Sequence, residues 1–303
     1  TASAGSSMNF KLAGHNAGTS FGQIKHGNQM TFGGNFNVTY ANGFTSQSGD
    51  TFPLVVYASH SGQFGTMSLP ALPSNLTWRP DYGSTAFSIT ARPIPTCTPA
   101  PNGLLAWWSG DGGTNLAGWY SLVATNGATN GFGIDGRAFL LNGVDQYWYA
   151  ADSVAFRPTN VTIECWVNFA AVTSLEVIAG KPYGSGNLDS YQIWLQNGQL
   201  RGGISTTGGF SALASYSWTP PVSSWHHVGY TYNQATALGT LFLDGVVVAT
   251  ASGSGPIAYD NRPFIVGADI ENGNPTYFFN GSIDEVALYD RALATNEIAA
   301  LRC

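Results

Sequence analysis

Charge is what this sequence has least of: 9% of its 303 residues are Asp, Glu, Lys or Arg. With Lys and Glu this scarce, long solvent-facing helices are excluded. The formal net charge is −6, and no basic run of five or more occurs. That excludes a nucleic-acid surface, which needs a positive field to displace counterions. Long apolar runs are missing too, so no segment reads as a transmembrane helix. Cysteine is limited to Cys97, Cys165 and Cys303. There is no CxxC and no Cys/His spacing of the kind that holds zinc. No signal peptide is visible, and the chain starts at Thr1 without Met. A processed product or an excised fragment is expected on that ground.

What is abundant points one way. Tyr, Trp, Phe, Val and Thr favour pleated sheet, and 38 glycines suit tight turns between short strands. The expected class is all-β, and the length suggests two domains. Residues 1–9 read as a flexible leader. Residues 10–92 read as short strands broken by turns, as in "QMTFGGNFNVTYANGF" and "GDTFPLVVYASHSGQF". Prolines stiffen 93–102 into a linker. Residues 103–303 follow as regularly spaced strands, expected to form a two-sheet antiparallel jelly-roll sandwich. Cys165 lies in the alternating run "TIECWVNF" and is expected to be a buried thiol. The exception to strand is "RALATNEIAAL", where Thr295 is expected to cap a short helix with Ile298 and Leu301 facing the core.

The motifs "GLLAWWSGDG", "GRAFLLNGVDQYW", "VTIECWVNF", "SSWHHVGYTYN", "GTLFLDGVVVAT" and "FFNGSIDEVALYDRALATNEIAAL" make residues 103–303 resemble the LamG-like, concanavalin A-like lectin/glucanase jelly roll of bacterial secreted and surface proteins. The resemblance implies one convex and one concave antiparallel sheet. Residues 10–92 more weakly resemble the β-strand modules that flank β-helix repeats in bacterial autotransporter-like proteins. That likeness implies a β-solenoid-like or β-sandwich unit acting as spacer or cap.

Strand alternation within "SIDEVALY" puts Asp284 on one side with Val286 and Leu288, and Glu285 on the other with Ile283 and Tyr289. A carboxylate on an apolar face needs backbone N–H donors or a cation. The resemblance implies a structural Ca²⁺ between Asp284 and oxygens of Gly110 or Asp111, and of Asn142 or Gly143. Asn142 stands where the family pattern often has an aspartate. Glu285 is expected as a solvated edge charge. Since the two ends of such a domain lie close together, the resemblance also implies a Cys97–Cys303 disulfide.

Catalysis finds no support in the spacing. Glycosidases of this fold need paired carboxylates on one strand, and Glu164 stands alone in "TIECWVNF". His226 and His227 are adjacent, so on a strand they face opposite ways and cannot chelate one ion together. Sugar recognition is the better fit, through aromatic faces flanked by polar side chains. The candidates are Trp119, Tyr120, Trp148, Tyr183, Asn187, Asp189, Gln192 and Trp194, with Gln192, Trp194 and Gln196 sharing one strand face. Asp189 and Asn187 would read hydroxyls or hold a second cation. The reading is a secreted or surface-exposed, non-catalytic module that recognises a polysaccharide or adheres to a glycan surface. A spacer or self-associating fibre subunit is the alternative, and a polysaccharide-degrading enzyme the minor one. Sequons occur at Asn37, Asn75, Asn160 and Asn280, and they are expected to be bare.

Overall fold

A computed structural model describes residues 6–93, 100–117 and 120–302. The chain divides into two compact units, residues 1–96 and 97–303.

In the first unit the register is parallel. Ser7–Leu12 pairs with Asn35–Tyr40, which pairs with Thr66–Ser68. Gln29–Thr31 pairs in parallel with Ser59–Ser61, and Ile24–Lys25 with Thr51–Val56. Stacked partners lie 28, 30 or 31 residues apart, so the chain coils and returns above itself. This decides between the two expected architectures in favour of the solenoid-like one. Identical or similar side chains sit over each other. Asn37 Nδ2 donates to Asn9 Oδ1 at 2.9 Å, and Thr66 Oγ1 to Asn35 Oδ1 at 2.6 Å. Inside the coil Phe36 is fully buried, with its ring centroid 5.4 Å from Phe10, 4.8 Å from Phe64 and 5.0 Å from Phe87. The parallel run ends where Ala86–Pro93 pairs antiparallel to Thr51–Val56, with Leu76–Tyr82 beyond it.

The second unit is a sandwich of two antiparallel sheets, as expected. The eight-stranded sheet runs in the order Thr129–Phe132, Arg137–Asn142, Asn280–Tyr289, Val161–Phe169, Trp225–Asn233, Leu238–Leu243, Val246–Ser252. Leu104–Trp108 also pairs with Asn280–Tyr289. The seven-stranded sheet runs Val123–Ala124, Trp148–Ala150, Phe264–Val266, Leu175–Tyr183, Leu188–Gln196, Gln199–Thr206, Gly209–Ser217. Alternation delivers the core: Val161, Ile163, Cys165, Val167 and Phe169 face Tyr191, Ile193 and Leu195, and all are fully buried. Each large apolar side chain so buried contributes about 1.5–3 kcal/mol. Asn197-Gly198 and Asp244-Gly245 both take positive φ (50° and 71°, 51° and 73°), the two-residue turn that matches strand twist.

Alternation fails in the strand that carries Asp284. Trp166 pairs with Asp284 but Glu164 pairs with Ala287, so the last strand carries a bulge at Glu285, whose φ is 52°. Ile283, Val286 and Leu288 therefore face the core together. Asp284 does not share their side as the unbroken pattern predicts; it points outward beside Trp166. Ala287 and Tyr289, also outward, are covered by Leu293 and by Ile298 of the helix Thr295–Ala300. Thr295 opens that helix and does not cap it. The free N–H of Ala294 is instead met by Glu297 Oε2 at 2.9 Å.

Candidate functional site

The outer face of the seven-stranded sheet carries Gln192 and Trp194, two of the eight residues expected to meet a ligand, with Asp189 further along the same strand. Tyr191, Ile193 and Leu195 point inward, so Gln192, Trp194 and Gln196 point out. Cross-strand pairing sets Arg201 beside Trp194, Gly203 beside Gln192 and Ser215 beside Arg201. Trp194 Nε1 donates to Gln196 Oε1 at 3.3 Å. Arg201 Nη1 donates to the same oxygen at 2.9 Å, while its Nε and Nη2 donate to Gln199 Oε1 at 3.2 and 2.5 Å. The indole, guanidinium and two amides thus hold one another in fixed orientations. Trp194 is 7% exposed and Gln192 5%, so both lie in the floor. Arg201, Gln196 and Gln199 are half-buried above it, and Leu213 and Ser215 form an exposed margin.

Further along the same strand the register shifts at Ser190, since Tyr191 pairs with Lys181 and Asp189 with Pro182. Asp189 and Asp269 meet there, both 4% exposed. Their carboxyls are electrostatically coupled, and two buried carboxyls so close do not readily ionise together. Burial and the neighbouring Asp269 charge push the Asp189 carboxyl well up; burial also raises Asp269. Ile270 N–H donates to Asp269 Oδ1 at 2.6 Å, the Gln192 side chain lies beside Asp269, and Tyr277 Oη donates to Glu271 Oε2 at 3.2 Å. The small hairpin Asp269–Glu271/Asn274–Thr276 is tied to the adjoining turn by Asn272 N–H on Ser185 O at 2.8 Å.

Tyr183 and Asn187 lie at that turn, half-buried and exposed respectively. Trp148 and Tyr120 are elsewhere. Trp148 is 5% exposed in the sandwich core, 5.0 Å from Phe139, and Tyr120 packs 4.9 Å from Phe156. Trp148 lies on the inner side of its strand, and Tyr120 is a partly buried loop residue packed against the same core. Trp119, Cys97 and Cys303 lie outside the described residues. Asp269, Glu271, Gln199, Arg201 and Leu213 escaped sequence reasoning. Arg201 alternates in phase with the cross-strand Trp194, and that was the one available signal.

The residues expected around calcium divide into two groups. Asp284, fully buried, accepts from Ile134 N–H at 2.8 Å and Asp135 N–H at 3.4 Å on Oδ2, and from Glu285 N–H at 2.8 Å on Oδ1. Asp111 accepts from Arg137 N–H at 3.0 Å and Ser109 Oγ at 3.2 Å. Both carboxylates therefore grip the turn 133–137. Gly133 is obligatory in it, since a Cβ there would sit 2.1 Å from Asp284 Oδ2. Gly110 offers its carbonyl to Asn130 Nδ2. Asn142 closes its own turn, accepting from Val144, Asp145 and Gln146 N–H, and it pairs with Asn280. That register position is four residues from Asp284, about 13 Å along a strand. Gly143 packs on Asn280. Among the described residues no three of His, Cys, Asp and Glu are placed to hold a metal. The oxygens expected around calcium are here met by N–H donors of Ile134, Asp135, Glu285 and Arg137 and by the turn after Asn142.

The remaining ionisable candidates are internally matched. His227 Nε2 lies 2.7 Å from Glu164 Oε2, both buried, and burial raises the Glu164 carboxyl. His226 Nδ1 lies 2.9 Å from Asp244 Oδ2. The two histidines do face opposite partners. Glu285 is not a solvated charge: it accepts the Trp107 indole N–H, and burial lifts its carboxyl to about 7.

The profile of the concanavalin A-like lectin/glucanases superfamily, laminin-G type, matches residues 142–299. The chain belongs to that superfamily. Solved structures of similar fold include domain 4 of AbnA, an extracellular arabinanase of Geobacillus stearothermophilus in complex with arabinotriose. It is 18% identical, with a TM-score of 0.51, covering 66% of this chain and 98% of that one. The binding domain of Paraclostridial Mosquitocidal Protein 1 is 18% identical with a TM-score of 0.52, over 66% of this chain and 52% of that one. The receptor-binding domain of botulinum neurotoxin type G is 13% identical with a TM-score of 0.51, over 65% and 50%. This superfamily member thus spans about half the length of the toxin domains. No curated protein matches the chain. Among the described residues no helix is long and apolar enough to cross a membrane.

Proposed function

We propose that the chain is a non-catalytic extracellular module whose jelly roll binds a glycan on the outer face of its seven-stranded sheet, with the solenoid-like unit as a spacer. The observation that carries this reading is the interlocked set Trp194, Gln196, Gln199 and Arg201. It presents oriented N–H donors and an apolar floor on an outward sheet face, the combination that sugar hydroxyls and pyranose C–H surfaces require. The arabinotriose held by the arabinanase domain supports the reading only at the level of fold. Catalysis is disfavoured by carboxylate geometry. Asp189 and Asp269 are each only 4% exposed, so neither offers its carboxyl openly to a polysaccharide as paired glycosidase carboxylates do. Glu164 is occupied by His227. A Cys97–Cys303 disulfide belongs to the same extracellular reading, and mass mapping of unreduced peptides tests it.

Glycan-array screening followed by titration calorimetry tests the function. Trp194→Ala and Gln196→Ala are expected to lower affinity at least tenfold while the fold is retained. Release of reducing sugar from any bound polysaccharide would replace this reading with an enzymatic one.

A further inference from the structure

We infer that the glycan held on this face carries an oxyanion substituent, a carboxylate or a sulfate ester, and that Arg201 is the residue that reads it. The inference rests on the binding reading above and names the ligand class for the same surface.

Arg201 has five N–H donors and spends three of them, one from Nε and one from each terminal nitrogen, on the carbonyl oxygens of Gln196 and Gln199. One N–H remains on each terminal nitrogen. No Asp or Glu lies within ion-pair distance of it among the described residues, whereas Arg157, Arg262 and Arg291 each have such a partner. Its strand neighbours are Trp194, Ser215 and the bare backbone of Gly203, all uncharged.

Neutral amide acceptors do something a carboxylate would not. They fix the plane of the guanidinium and replace the water it loses, yet leave its full positive charge uncancelled. A permanent cation held rigid by two glutamines, with two N–H groups left over, is matched by a ligand group with two acceptor oxygens and a negative charge. A neutral sugar hydroxyl uses one of those donors and none of the charge. The buried Asp189–Asp269 pair does not oppose this. Its nearer member sits beside Gln192, two residues along the strand from Trp194, and burial favours the neutral, protonated form of both carboxyls.

The test compares matched oligosaccharides that are neutral, uronate-bearing or sulfate-bearing, by calorimetry on the full chain and on Arg201→Gln and Arg201→Lys. Melting curves establish that each variant is folded. The expected result is preference for one or both anionic ligands. Arg201→Gln should lower that affinity about 10–100-fold, and Arg201→Lys, which keeps the charge and loses the planar fork, about tenfold. Uronate over sulfate, or the reverse, identifies the substituent. If the folded protein binds neutral glycans only, or if folded Arg201→Lys binds anionic ones as wild type does, the inference falls and the binding reading stands. If no glycan of any charge binds, both fall.

Discussion

The two units solve the problem of burying a chain in opposite ways. In the coil, partners recur every 28 to 31 residues and stack like on like, amide over amide and ring over ring. Its only carboxylates are Asp50 and Asp81. In the jelly roll, contacts join distant strands, and Glu164, Glu176, Asp189, Asp269, Asp284 and Glu285 are all drawn under cover, each raised in pKa by burial. The contrast teaches that a fold assembled from long-range pairings can bury acids because turns and partner strands from elsewhere arrive to meet them. A stacked coil has only its own repeat to offer, and it stacks neutral groups.

The sharpest way to break the comparison is to cut each unit where it depends on its own solution. Phe36→Ala removes a ring packed on three others in the coil and should cost about 3–5 kcal/mol in denaturant titration. A loss under about 1 kcal/mol would mean that the coil is not held by its aromatic stack. Asp284→Ala in the jelly roll leaves three N–H groups without their acceptor and should cost about 2–3 kcal/mol, with Gly133→Ala destabilising by steric conflict with the same carboxyl. With the carboxylate so occupied, added calcium or chelator should move the melting temperature by less than about 2 °C. A rise of several degrees with calcium would show that a cation takes the place of those donors.

Titration separates the units next. The folded jelly roll binds protons more tightly than the unfolded chain, because burial holds Glu285 at about 7 and Asp284 at about 9. Stability from these groups is therefore full below their ordinary carboxylate range near 4. It is lost as pH rises through 7 and on to 9, by up to roughly 1.4 kcal/mol per pH unit for each proton involved. Glu297 acts the other way: the Arg291 guanidinium and the Ala294 N–H hold it at about 2, so its contribution fades only as pH falls from 4 towards 2. Melting curves should show the jelly roll weakening between pH 5 and pH 9. A melting temperature that rises over that interval would contradict the buried-acid account. The smallest effect is expected from the ladder itself. Asn9→Ala should cost about 0.2–1 kcal/mol, measured by denaturant midpoint, and no cost at all would reduce the stacked amides to ornament.

Much of the scaffold was legible because it is local. The alternation of Val161, Ile163, Cys165 and Val167, the turn at Asn197-Gly198 and the short last helix all follow from steric preferences over a few residues. The shared face of Gln192, Trp194 and Gln196 was legible for the same reason. Asp284 was misdirected because a single bulge at Glu285 shifts every later side chain, and a bulge depends on the neighbouring strand's register. Trp148 read as a surface aromatic, since nothing local says which side of a sheet the other sheet will cover.

By itself, then, the sequence determined an all-β chain of two parts, the strand faces and the tight turns, because period-two alternation and left-handed turn residues act within one or two residues of themselves. Only the tertiary structure decided that the first part stacks in parallel, that Asp189 and Asp269 are buried side by side, that Glu164 answers His227, and that Arg201 rests between two glutamines without an acid. Those are meetings between strands, and register across a sheet is set by the packing of the whole domain.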